Sequence, residues 1–360
     1  MITFIIFLTI LSVLIFVHEF GHFIAARKVG VRVENFSLGF GPQILKKKKG
    51  HTEYSINLIP LGGYVKMAGD DPEEYSGQSY EYFSKPVGKR FWIISSGALL
   101  NYILGFLCFW FIFFVGYPTL TTKVGGLIDG FGAKKAGIEA GDTIIAIDNQ
   151  KVEYWEDLTK IIYNKKETAN VLLSVARGNE VRKIDVTIRE KHLDGTLGAK
   201  QKVGLLGITP DYNDAVVVRH GFFKAFLLAV DKTCYLTEMT YKGLWRIFTG
   251  RVSFRESVTG PLGMFIITSK VASQGIIAIL NLVGLISVSL AIFNLLPFPV
   301  LDGGHILFLG IEKIRGKTLN LKLERVITQI GVVMIVFFAL FVTYNDILKL
   351  FGDKIAKLFK

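Results

Sequence analysis

Three ionisable residues near the start of the chain have the types and spacing of a metal site with an adjacent base. Residues four apart lie on one face of a helix, so His18 and His22 can present two imidazoles to one metal ion. Glu19 follows His18 directly and can act beside that ion as a general base. The His-Glu-Phe-Gly-His sequence therefore predicts a metal site that activates water, and the ligand types favour zinc.

The surroundings of these residues are apolar. From Ile2 to Ala26, the pentapeptide 18–22 supplies the only charged or strongly polar side chains, and a run of this length is typical of a membrane-spanning helix. A charged residue at mid-span costs roughly 2.5–3.5 kcal/mol, so such groups are seldom found there without a partner or a task. The alternatives to a metal site are a proton relay and a packed polar cluster.

The composition favours a membrane protein. Of 360 residues, 51% are hydrophobic, which is high for a soluble chain of this size. The net charge of +12 could suggest nucleic acid, but no basic helix or zinc-finger spacing accompanies it. Cys108 and Cys234 are isolated and receive no role. The first apolar run has no basic segment before it and no small-residue cleavage site after it, so we interpret it as a retained helix rather than a signal peptide.

Four apolar segments are long enough to cross a hydrocarbon core about 30 Å thick at 1.5 Å per residue. They are Ile2–Ala26, Phe91–Tyr117, Gly275–Leu296 and Val326–Tyr344. Lysines and arginines are concentrated in residues 27–90 and 303–325, which predicts that both loops are cytoplasmic. Both termini and residues 118–274 are then extracytoplasmic.

The first cytoplasmic loop contains strand-like sequence. Apolar and polar residues alternate from Tyr54, and Pro60, Gly62 and Gly63 supply a bend, so we predict a hairpin over about residues 53–67 that dips into the membrane. An open edge there could pair with an extended substrate segment. The alternative is a hairpin that only packs at the interface. The run Lys46–Lys49 is interpreted as a contact with anionic lipid.

Residues 122–210 have the pattern of a separate soluble domain. Strands are expected at Ile144–Ile147, Val171–Val175 and Ile184–Ile188, and a helix at Tyr154–Tyr163. The run from Gly132 to Ile145 resembles the PDZ-domain signature, with Asp142 placed to stabilise the turn before a strand. Val203–Ile208 is similar to the strand that such domains place beside their peptide groove. The domain either binds peptide termini or excludes bulky substrates by size.

Residues 222–248 show apolar positions at helical spacing, interrupted by charges. The pattern predicts a pair of amphipathic helices on the outer membrane surface rather than a fifth span.

A third metal ligand is needed, because a catalytic zinc ion normally has three protein ligands and a water. Asp302 lies just after the third span, in a segment whose prolines and glycines must break the helix. The first and third spans both run from outside to inside, so Asp302 reaches the depth of His18 and His22. The topology therefore supports Asp302 as the third ligand.

These motifs together resemble the bacterial site-2 proteases, RseP-type intramembrane zinc metalloproteases. The resemblance rests on His18–His22 and on the Asn-x-x-Pro-x-Pro-x-Leu-Asp-Gly motif from Asn294 to Gly303, with further matches at Gly39–Pro42, Pro60–Lys66 and Ser96–Asn101. One departure is Gly97-Ala98, where the family usually has Gly-Pro. Another is that the chain has only one PDZ signature, whereas RseP itself resembles a tandem-PDZ arrangement.

The resemblance implies zinc ligands at His18, His22 and Asp302, with Glu19 as the catalytic base that activates a zinc-bound water. It implies substrate contacts through Asn294 and through the hairpin at Gly62, Gly63 and Tyr64. The implied substrates are single-pass transmembrane proteins cut within the bilayer of the bacterial cytoplasmic (inner) membrane, such as anti-sigma factors or remnant signal peptides. Membrane lipid is expected as a partner, and nucleic acid is not.

The expected fold class is a polytopic α-helical membrane protein with four transmembrane helices, a membrane-associated β-hairpin and an inserted extracytoplasmic PDZ domain. Residues 1–121 and 275–360 would form the two halves of the membrane core, 122–210 the PDZ domain and 211–274 the interfacial helices. Two competing functions are a membrane-anchored zinc protease acting on soluble proteins and a non-enzymatic scaffold. Metal content and dependence on a transmembrane substrate distinguish them.

Overall fold

The computed structural model of the chain describes residues 2–71, 73–165, 169–194, 200–253, 258–317 and 321–358. The helices of this part are α1 (Ile2–Val29), α2 (Val87–Val115), α3 (Gly132–Lys135), α4 (Trp155–Asn164), α5 (Phe222–Phe248), α6 (Pro261–Ala272), α7 (Ile276–Asn294), α8 (Asp302–Arg315) and α9 (Leu321–Leu358). Helices α1, α2 and α7 and the Glu324–Leu350 part of α9 are long and apolar enough to cross a membrane. The four predicted spans are confirmed.

The strands are β1 (Val33–Lys49), β2 (Thr52–Met67), β3 (Tyr117–Leu120), β4 (Val124–Leu127), β5 (Thr143–Ile147), β6 (Gln150–Lys151), β7 (Asn170–Arg177), β8 (Glu180–Thr187), β9 (Arg189–Asp194), β10 (Lys200–Leu205), β11 (Ile208–Pro210) and β12 (Ala215–Val218). The chain divides into two compact units. One contains Met1–Ile112, Ala225–Leu244 and Val258–Lys360, and the other contains Phe113–Lys224 and Trp245–Ser257. The predicted domain limits at residues 121, 210 and 274 stay predictions.

Small residues allow the helices of the first unit to pack closely. A Cβ added at Gly21 of α1 would lie 2.4 Å from the carbonyl oxygen of Ser96 on α2, and one at Gly105 would lie 2.5 Å from Val288 on α7. Gly284 of α7 is similarly close to the ring of Phe109. Close backbone approach at small residues is the usual way in which membrane helices associate. It brings the first, second and third spans together.

Strands β1 and β2 form a bent hairpin whose turn lies at residues 50–51. Bulges fold each strand back, so residues 35–38 face residues 63–66 on one side and residues 53–56 on the other. The register gives four segments in the order 43–49, 52–57, 35–38 and 63–66, and the two central segments run in the same direction. The predicted hairpin over 53–67 was therefore wrong in its extent, because Pro60–Gly63 bends β2 internally and β1 supplies its partner.

The second unit contains the β-rich domain. Its main sheet has the strand order β6-β5-β7-β8, and α4 packs over a core that includes Ile144, Leu173 and Ile188. The predicted strands and helix lie within β5, β7, β8 and α4 or one residue beyond an end, whereas Val203–Ile208 is divided between β10 and β11. This arrangement is PDZ-like, and it confirms the predicted fold class of membrane helices with an inserted domain.

Asp142 stabilises the turn before β5, as predicted, and also binds the guanidinium of Arg177. Its carboxylate accepts a hydrogen bond of 2.9 Å from the backbone amide of Glu139. It also accepts two bonds from the Arg177 guanidinium, of 2.7 and 2.8 Å, while its side chain is almost fully buried. The bonds from Arg177 hold the pKa of Asp142 below its ordinary value. The pair fastens the helix-turn segment to β7.

Two predictions for residues 211–274 need correction. Helix α5 is one continuous helix of 27 residues rather than a pair of helices. Helix α6 is apolar rather than amphipathic and, at 12 residues, too short to span. The carboxylate of Asp346 accepts hydrogen bonds from the amides of Gly260 and Gly263 at 3.0 and 2.8 Å, which satisfies the start of α6. Sequence periodicity carries no sign of such a distant cap.

Candidate metal centre

Helix α1 brings its two histidines together. His18 and His22 lie four residues apart, and their Nε2 atoms are 3.2 Å from each other. Their side chains are only 12% and 13% exposed. The predicted pairing of the imidazoles on one helix face is therefore present in the structure.

Asp302 reaches the same point from the first turn of α8. Helix α7 ends at Asn294, and Pro297 and Pro299 prevent the helix from continuing. The chain then turns so tightly that a Cβ at Gly303 would lie 2.2 Å from a backbone carbonyl oxygen. This turn places Asp302 Oδ2 3.3 Å from His18 Nε2, and Oδ1 3.6 Å from His22 Nε2.

The three side chains fit a zinc ion. Ligand atoms of a tetrahedral zinc site with bonds of about 2.0–2.1 Å lie roughly 3.3 Å apart. Here the two Nε2 atoms are 3.2 Å apart, and the Asp302 carboxylate approaches His18 through Oδ2 at 3.3 Å and His22 through Oδ1 at 3.6 Å. Within the described residues, Asp302 Oδ2 is shielded from solvent and accepts no hydrogen bond of ordinary geometry. A cation between these atoms would satisfy that oxygen and remove the repulsion between facing imidazole lone pairs.

Hydrogen bonds behind the rings orient them toward that point. His22 Nδ1 lies 2.9 Å from the carbonyl oxygen of Ile93, so Nδ1 carries the proton and Nε2 has its lone pair free. The side-chain amides of Asn101 and Asn294 both contact His18 Nδ1 at 3.4 Å. Asn101 Oδ1 is otherwise buried without a partner in the described part of the chain, and a half-turn of its amide would let it accept the Nδ1 proton.

Asn101→Ala is expected to weaken zinc binding by about 10- to 100-fold, because His18 would lose the side-chain oxygen that accepts its Nδ1 proton and orients its ring. Zinc affinity of the purified protein, measured by competition with a chelator, checks this. Ser287→Ala is the matched control, since Ser287 Oγ donates to the backbone oxygen of Asn101, at 2.8 Å, and not to its side chain. An Asn101→Ala variant with the affinity of the wild type would contradict the assignment.

Glu19 lies between the histidine pair and the hairpin. A Cβ at Gly63 of β2 would lie 3.3 Å from Glu19 Cγ, and the carboxylate is beside the backbone amide of Val65. Gly63 and Tyr64 therefore pass directly alongside the base. Gly62 has a positive φ of 118°, and a side chain there would collide with the ring of Phe40. Of the four predicted substrate-contact residues, Asn294 touches His18, Gly63 is near Glu19, and Gly62 and Tyr64 flank Gly63.

Gly97 is a site residue whose importance the sequence did not reveal. A Cβ at this position of α2 would lie 2.4 Å from His22 Nε2 and 2.8 Å from His18 Cε1. The absence of a side chain leaves room for both rings. The only available signal was that Gly97 keeps the glycine of the family's usual Gly-Pro pair, although Ala98 departs from it.

A cavity of about 310 Å³ that contains several ionisable side chains lies beside the cluster. Glu19, His22 and Asp302 line it, together with the buried ion pair of Arg90 with Glu312. His305 also lines this cavity, and its Nδ1 lies 3.9 Å from the carboxylate of Glu324. Burial raises the pKa of Asp70, another lining residue, above its ordinary value. The cavity gives room for water beside Glu19, His22 and Asp302.

Comparison with known proteins identifies the family. The model of "Peptidase family M50" matches residues 6–338. The zinc metalloprotease RasP of Geobacillus kaustophilus is 28% identical over 423 residues, covering 96% of this chain and 97% of the relative. The regulator of sigma-W protease RasP of Bacillus subtilis is 27% identical over 432 residues, covering 97% and 99%. A protein of Agrobacterium fabrum, which carries a provisional zinc metalloprotease name, is 32% identical and covers 96% of both chains.

Among solved structures, the PDZ domain of an SdrC-like protein from Listeria innocua matches with 22% identity and a TM-score of 0.21, covering 26% of this chain and 94% of that one. The family match spans nearly the whole membrane core and includes the histidine pair, Asp302 and the helices that carry them. The chain belongs to peptidase family M50, the site-2 proteases, and is a zinc metalloprotease with several membrane-spanning helices.

Proposed function

We propose that this protease cuts single-pass transmembrane proteins within the lipid bilayer. The observation that carries the proposal is the location of the candidate metal cluster inside an apolar span. His18 lies roughly 16 Å along the helix axis before the end of α1, at 1.5 Å per residue. A protease that acted only on soluble proteins would have no need to place its ligands at this depth, where ionisable groups are costly.

In this proposal His18, His22 and Asp302 hold the zinc ion. Zinc, when bound, supplies a Lewis acid that polarises the scissile carbonyl and lowers the pKa of water to about 7. Glu19 takes a proton from the attacking water and returns it to the amine of the departing segment. The Asn294 amide, held beside His18, is placed to contact the substrate carbonyl.

The hairpin offers a way to unwind the substrate. A helical substrate shields its carbonyls through its own hydrogen bonds, so it must become extended before cleavage. Among the described strands, residues 63–66 pair only with residues 35–38, so their other edge has no strand partner. Glu19 lies close to Gly63 and beside the backbone amide of Val65. An extended segment added to this edge would lie alongside the base.

Ile56→Pro should lower the cleavage rate about tenfold or more while leaving zinc content unchanged. Ile56 lies opposite both Leu38 and Leu45, so a proline there disrupts the two central segments of the sheet without touching the ligands. Cleavage of a labelled transmembrane peptide and metal analysis of the same sample measure both quantities. Ile56→Val, which keeps the backbone amide, is the control, and normal cleavage by the proline variant would argue against strand addition.

The basic loops support an orientation in the cytoplasmic (inner) membrane with both termini and the PDZ-like domain outside. The name of one relative, regulator of sigma-W protease, supports membrane-anchored regulators of sigma factors as a substrate class. We further propose that the PDZ-like domain acts as a size filter or binds peptide termini. In this scheme residues 1–121 and 275–360 make up the membrane core.

The test is cleavage of a single-pass transmembrane peptide by the purified protein in bilayers, with and without removal of zinc by a chelator. Cleavage inside the apolar segment that is lost on chelation and restored by zinc supports the proposal. Cleavage of soluble peptides alone would favour a membrane-anchored protease with soluble substrates. A protein without zinc and without cleavage of either substrate would favour the scaffold.

A further inference from the structure

The outermost segment of the β1–β2 sheet carries four consecutive lysines. Lys46 to Lys49 are all exposed, and none of them forms an ion pair with a carboxylate of the described residues. Glu53 lies opposite Lys48 in the register, but its carboxylate accepts a hydrogen bond from Gln43 instead. Successive strand residues point to opposite faces, so two lysines project from each face of the sheet.

The register fixes the depth of these lysines relative to α1. Lys49 pairs with Thr52, whose hydroxyl donates to the carbonyl of Val33 at 2.8 Å, four residues after α1 ends. At the other end of the sheet, Ser12 of α1 donates to the carbonyl of Pro60 at 3.2 Å. The sheet therefore extends along the helix from its end to a point near its middle, and the lysines occupy the end nearer the membrane surface.

An apolar band continues directly below the lysines. Ile44 and Leu45 precede Lys46 and are 58% and 62% exposed, while Leu58 on the neighbouring segment is 60% exposed. At about 3.3 Å per residue, the four lysines cover roughly 10 Å. The headgroup layer on one side of a bilayer is about 5–8 Å thick, so a basic run of this length can span it. The order of side chains along the strand, apolar and then basic, is the order expected where hydrocarbon gives way to headgroups.

We propose that Lys46–Lys49 bind the phosphate groups of anionic phospholipids, in the leaflet at which α1 ends, and so hold the sheet at the depth of Glu19. The inference rests on the proposed function in one respect, the placement of the sheet in the membrane. The exposed apolar side chains beside the lysines and the positive charge on both faces favour a bilayer surface as the partner. One or two lysines would suffice to protect a sheet edge from pairing.

The test measures lipid selectivity next to the lysines. A fluorophore is attached at Leu45→Cys in a Cys234→Ser background, and the protein is placed in nanodiscs that contain brominated phosphatidylglycerol or brominated phosphatidylcholine. Each basic side chain near an anionic surface contributes roughly fivefold to binding. We expect the wild-type lysines to give about tenfold stronger quenching by the anionic lipid at low salt, and the preference to fall in 0.5 M salt.

Replacing all four lysines by glutamine should bring the two lipids to equal quenching. The matched control replaces four exposed lysines of the PDZ-like domain, Lys135, Lys151, Lys160 and Lys183, by glutamine, and it should keep the preference. Equal quenching in the wild type, or a preference that survives in the Lys46–Lys49 variant, would overturn the proposal and leave edge protection as the role of these residues.

The outcome is separable from the proteolytic function. The Glu19→Gln variant should show the full lipid preference although it does not cleave. In the wild type, cleavage of a transmembrane peptide should increase as phosphatidylglycerol replaces phosphatidylcholine, and the Lys46–Lys49 variant should lose this dependence. A lipid preference without any cleavage would count against the proposed function alone.

Discussion

Glu19→Gln is expected to lower the cleavage rate by at least about 10²- to 10⁴-fold, because the amide cannot take a proton from water or return one to the leaving amine. Glu19 is not one of the three side chains that converge at the metal position, and Gln has nearly the same size. The zinc content should therefore remain that of the wild type. The loss should appear in kcat, because the proposed substrate contacts of the hairpin and Asn294 would be unchanged.

The measurement is single-turnover cleavage of a transmembrane peptide in bilayers, with zinc quantified on the same preparation. Glu34→Gln serves as a control on an exposed acid near the base of the hairpin, whose carboxylate lies 3.8 Å from Lys66. If Glu19→Gln cleaved at an undiminished rate, Glu19 could not be the base. If the Glu19→Gln variant lost its zinc as well, Glu19 would be needed for zinc binding, and the loss of cleavage would not identify it as the base.

Gly97→Ala should weaken zinc binding by about 10- to 100-fold and reduce cleavage in proportion. The added methyl would lie 2.4 Å from His22 Nε2, well inside van der Waals contact and at the atom that must face the metal. Either the rings move or α1 and α2 separate, and overpacking of this kind costs roughly 1–3 kcal/mol. The backbones of α1 and α2 are already in close contact where Gly21 packs against Ser96 and Gly97, so the two helices cannot move closer to make room for the rings.

Gly88→Ala is the matched control for this prediction. Gly88 lies on the same helix, and an added Cβ there meets no heavy atom within 4 Å. Both variants replace a helical glycine of α2 by alanine, but only the one at Gly97 adds a methyl beside the histidines, so zinc affinity reports the space around the rings. Zinc affinity by chelator competition, together with the absorption spectrum of the cobalt-substituted protein, gives a readout apart from activity. Equal affinities for the two variants would show that the rings do not need this space.

Sequence patterns were informative where local chemistry decides the structure. The i, i+4 spacing of His18 and His22 is a property of one helix, and the lengths of the four apolar runs follow from the thickness of the bilayer. The matched directions of the first and third spans led to Asp302, and the structure brings its carboxylate to the two imidazoles. Its assignment as a zinc ligand is a prediction that metal analysis can check.

Features that depend on distant segments escaped sequence analysis. The hairpin was given the wrong extent because Pro60, Gly62 and Gly63 have the composition of a turn, whereas the structure uses them to bend a strand whose partner starts at Val33. The cap on α6 comes from Asp346, more than 80 residues along the chain. No local periodicity encodes either pairing.

The sequence by itself determined the four apolar spans, the chemical types of the candidate ligands and their order along the chain, because these follow from hydrophobic length and helical spacing. The tertiary structure alone decided that Gly97 must lack a side chain, that Asn101 and Asn294 both meet His18, and that the sheet lies along α1 with its edge at Glu19. These features arise where separate helices and strands approach within a few ångströms, and only packing sets such distances.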